Sequence, residues 1–305
     1  RPTDTRWPRP CSRQSRGTQL RDSRARMILP VWLGEDLAFP DPALSHHQGL
    51  VALGGDLTPE RLRLAYSMGI FPWFSEDDPV MWWSPDPRTI FIPQAFHLSG
   101  SMRKVLRRHD FIIRINSAFS DIVQLCASIP RREQDGTWIT PAMQAAYCRL
   151  HEAGDAHSIE VWQASPVFIR GTSSGRIISD QSGYTLAGGV YGVLTGSVFC
   201  GESMFSLVPN ASKIALAALM YLCIRSGILA VDCQFTTSHL ESLGAFEIPR
   251  QTYLDLLETD DDAHSPEHRF FPSSGSLFAS PDWAMDLIDM LGESNPNGQD
   301  ETFPI

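Results

Sequence analysis

Between Thr140 and Arg250 the hydropathy pattern spells one order of elements, α-β-β-β-α-β-α, and nothing else in the chain constrains the fold as much. Residues 140–153 read as a helix, and HSIEVW at 157–162 alternates as a strand does. Two further strands, Ala187–Gly196 and Ser197–Ser206, meet at a tight hairpin turn within Gly192–Gly196. A helix over Asn210–Arg225 follows, then the strand Ile228–Phe235, then SHLESLG as a short helix leading into EIPRQTYLDLLE. Strands joined by hairpins, followed by a strand that returns after a helix, predict a mixed sheet flanked by helices, an α+β fold. Residues 163–186, rich in Gly and Ser turn signals, read as a long hairpin excursion.

The helix at 210–225 holds the longest nearly apolar run, Ile214–Ile224, ended by Arg225. A membrane span needs roughly 20 such residues, so this is a core helix. A chain that is 43% hydrophobic and 20% charged has ordinary globular composition. That excludes a disordered chain, a fibre and a coiled coil. The six Cys are scattered without a CxxC pair, and neither HExxH nor a Cys/His spacing suggests zinc. Free thiols in a reducing cytoplasm, with no metal and no cofactor, are the expectation.

Upstream, Phe39–Pro87 is dense in Pro, Gly and Trp. Within it Thr58-Pro59-Glu60 opens a capped helix that Gly69 ends. Arg88–Pro93 and 111–116 read as strands, and 97–108 and 118–128 as helices. Residues 1–26 lack an initiator Met, an apolar core and any period, so they read as a non-native or disordered extension. The expected division is a small loop-rich N-terminal domain at 27–86, a second domain at 87–283, and an acidic, frayed tail at 284–305.

Charge is uneven. Eight Arg against two Asp in residues 1–26 leave +6 there and −16 in the remainder of a chain whose formal charge is −10. Such a body repels polyanions at long range, so any nucleic-acid contact needs a local basic patch. The densest one is Arg103, Lys104, Arg107 and Arg108, which form two i,i+4 pairs on a helix. It reads either as a solvated face or as a landing site for an RNA backbone.

The strongest chemical cue is Asp232-Cys233-Gln234 on a strand, where i and i+2 share a face. A carboxylate beside an amide at a sheet surface suits a cationic amine; a pair of structural hydrogen-bonders is the alternative. Glu202, in CGESMF, ends a strand that can neighbour them. The aromatic cluster Tyr66, Trp73, Trp82, Trp83, Trp138 and Tyr147 offers nucleobase stacking or plain packing of a loop-rich domain. The His residues show no ligand spacing, and Ser203 does not complete a G-x-S-x-G elbow. Leu216, Leu219 and Cys223, at i, i+3 and i+7, are core residues that can also wall a side-chain pocket.

The element order of 140–250 is similar to that of GNAT-like acyltransferase domains. The Q/R-x-x-G-x-G/A phosphate loop such enzymes use for acetyl-CoA follows none of the strands, which argues against an acyl-CoA donor. GGDLTPERLRLAYSMGIFPWF, WWSPDPR, GTWITPAM, HSIEVW, FCGESMFS, NASK and VDCQ together resemble the bacterial leucyl/phenylalanyl-tRNA–protein transferase family over about residues 37–281. The order and spacing match except at 163–186, where the family has a tight turn.

The resemblance implies a small N-terminal domain and a GNAT-like C-terminal domain. It implies transfer of Leu or Phe, and less well Met, from aminoacyl-tRNA to proteins with N-terminal Arg or Lys, marking them for N-end-rule degradation in the bacterial cytoplasm, with no membrane partner. It places Tyr66, Trp73, Trp138 and Tyr147 around the 3′-terminal adenosine. Val190, Phe199, Met204, Leu216, Leu219, Cys223 and Val231 would wall the aminoacyl side-chain pocket. Glu202, Asp232 and Gln234 would form the reaction centre, and Arg103, Lys104, Arg107 and Arg108 the tRNA-backbone patch. Leu219 and Cys223 stand where Phe is expected and Val190 where Met is expected, so a wider pocket is implied. Gly100 replaces an expected Arg. A transferase with another acceptor, or a non-catalytic tRNA-binding module, are the alternatives.

Overall fold

The computed structural model describes residues 30–46, 48–108, 110–129, 137–164, 178–258 and 282–293. The extension at 1–26, His47, most of the 163–186 excursion and the chain beyond 293 lie outside the described residues.

The N-terminal part is a four-stranded sheet in the order β1-β2-β4-β3, built from β1 (Val31–Leu33), β2 (Leu50–Gly54), β3 (Phe71–Pro72) and β4 (Met81–Trp83). Helix α1 (Pro59–Ser67) sits between β2 and β3. Its start is as read: Thr58 accepts the Arg61 N–H and Pro59 occupies the first turn. Short strands and Pro-rich loops leave many carbonyls without a ladder partner. Buried arginines supply the missing donors. Arg61 reaches the carbonyls of Gly34 and Asp36, each at 3.1 Å. Arg250 reaches those of Ser84 and Ser45, at 2.7 and 3.0 Å.

The larger sheet has seven strands in the order β11-β5-β10-β9-β8-β7-β6. In chain order, β5 (Arg88–Phe91), α2 (Gly100–Leu106), β6 (Phe111–Ile115), α3 (Phe119–Ser128) and α4 (Pro141–Glu152) lead to β7 (Ala156–Gln163), β8 (Thr185–Thr195) and β9 (Val198–Ser206). Then come α5 (Ala211–Ser226), β10 (Ala230–Gln234), α6 (Ser238–Glu241), β11 (Phe246–Ile248), α7 (Arg250–Glu258) and α8 (Trp283–Glu293). Neighbours pair antiparallel except β9 and β10, which run parallel. The α+β class and the mixed sheet flanked by helices stand as read.

Apolar side chains from the sheet join two cores. One contains α2, α5 and α8; the other contains α1, α3, α4, α7 and the small sheet. Helix α5 is apolar nearly all round because it is wedged between the large sheet and α8. Its approach to the sheet depends on small residues: a Cβ on Gly188 would lie 2.6 Å from that of Ala211. Gly227, at φ +69°, ends the helix.

One expectation changes. The tail at 284–305 is no frayed end over its described part: α8 buries Ala284, Leu287, Ile288 and Leu291, with Trp283 before them, in the first core. Its acids do not fray it because those apolar residues keep a helical spacing. Strand β7 forms as read and is buried on both faces. The Glu160 carboxylate is satisfied there by the N–H groups of Ser117 and Ala118, Ser158 Oγ and Trp162 Nε1.

Candidate active site

The parallel strands β9 and β10 pair from Ala230↔Val198 to Asp232↔Cys200. Immediately beyond, both are interrupted. Opposite β8, Gly192 pairs Gly201 while Tyr191 pairs Ser203, so Glu202 is an extra residue in β9. Opposite β5, Ile90 pairs Asp232 while Thr89 pairs Gln234, so Cys233 is an extra residue in β10. Two bulges side by side end the pairing and re-aim the side chains at its end.

Asp232 is 0% exposed. Its carboxylate takes a two-pronged ion pair from Arg88: Nε to Oδ1 at 2.7 Å and Nη2 to Oδ2 at 2.6 Å. The Tyr253 hydroxyl donates to Oδ2 at 3.2 Å. Burial is the strongest single influence on the Arg88 pKa and lowers it; the Asp232 charge, the Tyr253 and Cys200 groups and the Asp232 hydrogen bonds together outweigh it and raise it. Gln234 adopts φ +58°. That turn brings its backbone N–H to Oδ1 at 2.8 Å and its Nε2 to Oδ2 at 3.4 Å. Nε2 also donates to the Gly201 carbonyl at 3.1 Å. Nitrogen therefore faces inward on two acceptors, and Oε1 is left to accept from elsewhere.

Asp232 and Gln234 do meet, but not as strand periodicity suggested. They meet through a bulge and a left-handed residue, and the acid lies inside the sheet rather than at its surface.

Glu202 lies next to Gly201. Its Oε1 and Oε2 each accept a tyrosine hydroxyl at 2.7 Å, from Tyr66 and Tyr147 respectively. The two hydroxyls are 3.0 Å apart. Burial raises the Glu202 pKa to about 7; the tyrosine hydrogen bonds and Arg88 oppose this, and Asp232 adds to it. Burial, then the Glu202 charge, holds both tyrosines well above their ordinary range. Both rings are in the core.

Phe235 follows Gln234 and is 40% exposed. Its ring meets Trp73 at 5.3 Å and Phe71 at 6.0 Å. Trp73 is half-buried, with its carbonyl accepting from Trp83 Nε1 at 2.7 Å. Trp138, also half-buried, packs on the core that holds Tyr66 and Tyr147, two residues before the Thr140 cap of α4. Val190, Phe199, Leu216, Leu219, Cys223 and Val231 share the other core, and the half-buried Met204 packs against it opposite Val190.

The basic residues divide. Lys104, Arg107 and Arg108 are exposed. Arg103 is half-buried and donates to the carbonyls of Leu98 and Ile288, each at 3.1 Å, which ties α2 to α8. Its guanidinium is therefore engaged within the fold rather than aligned with the other three.

Residues 90–258 match the family model described as leucyl/phenylalanyl-tRNA protein transferase, and residues 55–86 match the model of that family's N-terminal domain. The chain belongs to the leucyl/phenylalanyl-tRNA–protein transferase family. Relatives bearing that name agree along most of their length. The protein of Desulfatibacillum aliphaticivorans is 47% identical over 230 residues, 75% of this chain and 91% of the relative. That of Shewanella baltica (strain OS223) is 50% identical over 222 residues, 72% and 85% respectively. That of Klebsiella pneumoniae (strain 342) is 46% identical over 238 residues, 77% and 92%. The family match thus spans both the small sheet's helix and the bulged strands of the site.

Sequence reasoning did not single out Arg88, Tyr253 or Phe235. Only Phe235 carried a local signal, as a large apolar residue directly after Asp232-Cys233-Gln234. No helix among the described residues is long and apolar enough to cross a membrane.

Proposed function

We propose that this chain transfers Leu or Phe, and Met less readily, from aminoacyl-tRNA to the N-terminal Arg or Lys of acceptor proteins, marking them for N-end-rule degradation in the cytoplasm. The observation that carries the reading is the Gln234 amide. Its nitrogen is held by Asp232 and the Gly201 carbonyl, so Oε1 is a fixed acceptor where β9 and β10 part.

An aminoacyl ester is already activated, so attack by an amine needs no nucleotide. The neutral α-amine nitrogen forms the peptide C–N bond, the ester C–O bond breaks, and the amine's proton ends on the departing ribose hydroxyl. Gln234 Oε1 accepts a hydrogen bond from the amine and aims its lone pair at the carbonyl carbon. Orientation of this kind lowers the barrier by several kcal/mol. An amide oxygen is too weak a base to keep the proton, so the proton passes to the leaving oxygen directly or through water.

Val190, Phe199, Met204, Leu216, Leu219, Cys223 and Val231 hold the aminoacyl side chain, where one methylene is worth about 1–3 kcal/mol of discrimination. Trp73 and Trp138 stack on the terminal adenosine, with Tyr66 and Tyr147 acting through Glu202 rather than by stacking. Glu202, through the hydroxyls of Tyr66 and Tyr147, sets the adenosine. Lys104, Arg107 and Arg108 carry the tRNA-backbone contacts.

The test is acceptor competition. With Leu- or Phe-charged tRNA, peptides beginning with Arg or Lys should be labelled and those beginning with Asp or Glu should not. Labelling of the acidic peptides instead would assign a different acceptor.

A further inference from the structure

We propose that Arg88 and Tyr253 are positioning residues for the transfer reaction, clamping Asp232 as a saturated anion that sets which atom of the Gln234 amide faces the substrate. The inference rests on the transfer reading of the same site. It also gives Asp232 one role only, that of an anchor and not of an acceptor for the amine's proton.

The lone pairs of the carboxylate decide this. A carboxylate offers about four hydrogen-bond sites. Asp232 Oδ1 receives Arg88 Nε and the Gln234 N–H; Oδ2 receives Arg88 Nη2, the Tyr253 hydroxyl and Gln234 Nε2. Five donors fill those sites. A proton arriving from the amine would have to displace one of them from a carboxylate that is 0% exposed.

The same saturation fixes the amide. Gln234 Nε2 faces Oδ2 and the Gly201 carbonyl. Flipping the amide would put Oε1 against two acceptors and lose both hydrogen bonds, so the Asp232 charge keeps Oε1 on the substrate side. A protonated Asp232 would lose that discrimination.

Arg88 and Tyr253 are themselves buried. Arg88 is 1% exposed. Its guanidinium lies 4.9 Å from the Phe71 ring centroid and 4.4 Å from that of Tyr253. Its Nη1 donates to the Gly69 carbonyl at 3.1 Å. Gly69 ends the helix that carries Tyr66, and at φ +68° a Cβ there would lie 2.7 Å from Leu254. One side chain thus ties the helix of Tyr66 and the bulge of Gln234 to a single point, which is a way to keep donor and acceptor subsites in register.

A double-mutant cycle on the full chain separates positioning from structural support. Tyr253→Phe deletes one hydroxyl and should lower kcat about tenfold, with KM for charged tRNA unchanged within about twofold. In a Gln234→Ala background, followed by single turnover at excess enzyme, the same substitution should change the rate by less than about twofold. An equal loss in both backgrounds, or no loss in the wild type, overturns the proposal. Arg88→Lys keeps the charge but cannot form the fork and should lower kcat about a hundredfold.

A second readout does not depend on activity. The Gln234 side-chain amide protons, assigned by their loss in Gln234→Ala, should exchange with solvent about tenfold faster in Tyr253→Phe than in the wild type. Equal exchange rates overturn the clamp. A wild-type chain that transfers neither Leu nor Phe overturns the transfer reading instead, and amide exchange still decides the clamp.

Discussion

Glu202, Tyr66 and Tyr147 make three oxygen–oxygen contacts, at 2.7, 2.7 and 3.0 Å. With Glu202 ionised the three groups hold only two protons, so one contact is two oxygens without a hydrogen between them. A third proton, on Glu202, satisfies all three. This agrees with a folded-state pKa of about 7 against an ordinary 4.5, raised chiefly by burial. Folding therefore favours the protonated acid. Its stabilising contribution is complete below about pH 4.5 and is lost as the pH rises through about 7.

Glu202→Gln imitates the protonated acid at every pH. At about 1.36 kcal/mol per pH unit the interval is worth at most about 3 kcal/mol. Glu202 is half-buried, and solvent screening brings this nearer ~1 kcal/mol. For a chain of this size that is about 3 °C in Tm. Thermal denaturation followed by circular dichroism should give equal Tm values for variant and wild type at pH 4.5. The variant should be higher by about 3 °C at pH 8.5. Tyr66, Tyr147, Asp232 and Arg88 act most strongly on Glu202 after burial. The two tyrosines that touch it do not titrate with it, because burial and the Glu202 charge hold them well above their ordinary range. Parallel Tm–pH curves for the two proteins would refute the proton count.

Gly188→Ala would push a methyl to 2.6 Å from the Ala211 Cβ and 3.0 Å from the Phe205 carbonyl oxygen. Equilibrium urea unfolding should register a loss of about 1–3 kcal/mol. Arg103→Gln removes the guanidinium from the Leu98 and Ile288 carbonyls. It should lower Tm without altering the salt dependence of tRNA binding. Lys104→Glu with Arg107→Glu should do the reverse, raising KM for charged tRNA and flattening the log–log salt slope by about 2. Phe235→Ala removes the ring against Trp73 and should raise KM for charged tRNA more than it lowers kcat.

What the sequence discloses is what local chemistry controls. The α5 helix is legible because an apolar run bounded by Arg225 and Gly227 admits one reading, and α1 because Thr58-Pro59 caps it. Helix α8 is hard to see because Asp282, Asp286, Asp289 and Glu293 mask a helical spacing of Trp283, Leu287 and Leu291. Glu202, Asp232 and Gln234 stand out by residue type, but their geometry does not. The bulges at Glu202 and Cys233 exist only relative to partner strands. The left-handed turn falls on Gln234, where neither Gly nor Asn announces it. Arg88 precedes Asp232 by 144 positions, and Tyr253 follows it by 21. Nothing near either residue marks it as a partner, because a buried ion pair is chosen by the fold that encloses it.

The central claim is that a held amide oxygen aims an incoming amine at an aminoacyl ester. Transfer of labelled Phe from tRNA to an Arg-initiated peptide, compared between the wild type and Gln234→Ala, tests it most directly. The account predicts efficient transfer by the wild type and a kcat lower by about a hundredfold in the variant, at similar KM for both substrates. Equal turnover by the two proteins would contradict it.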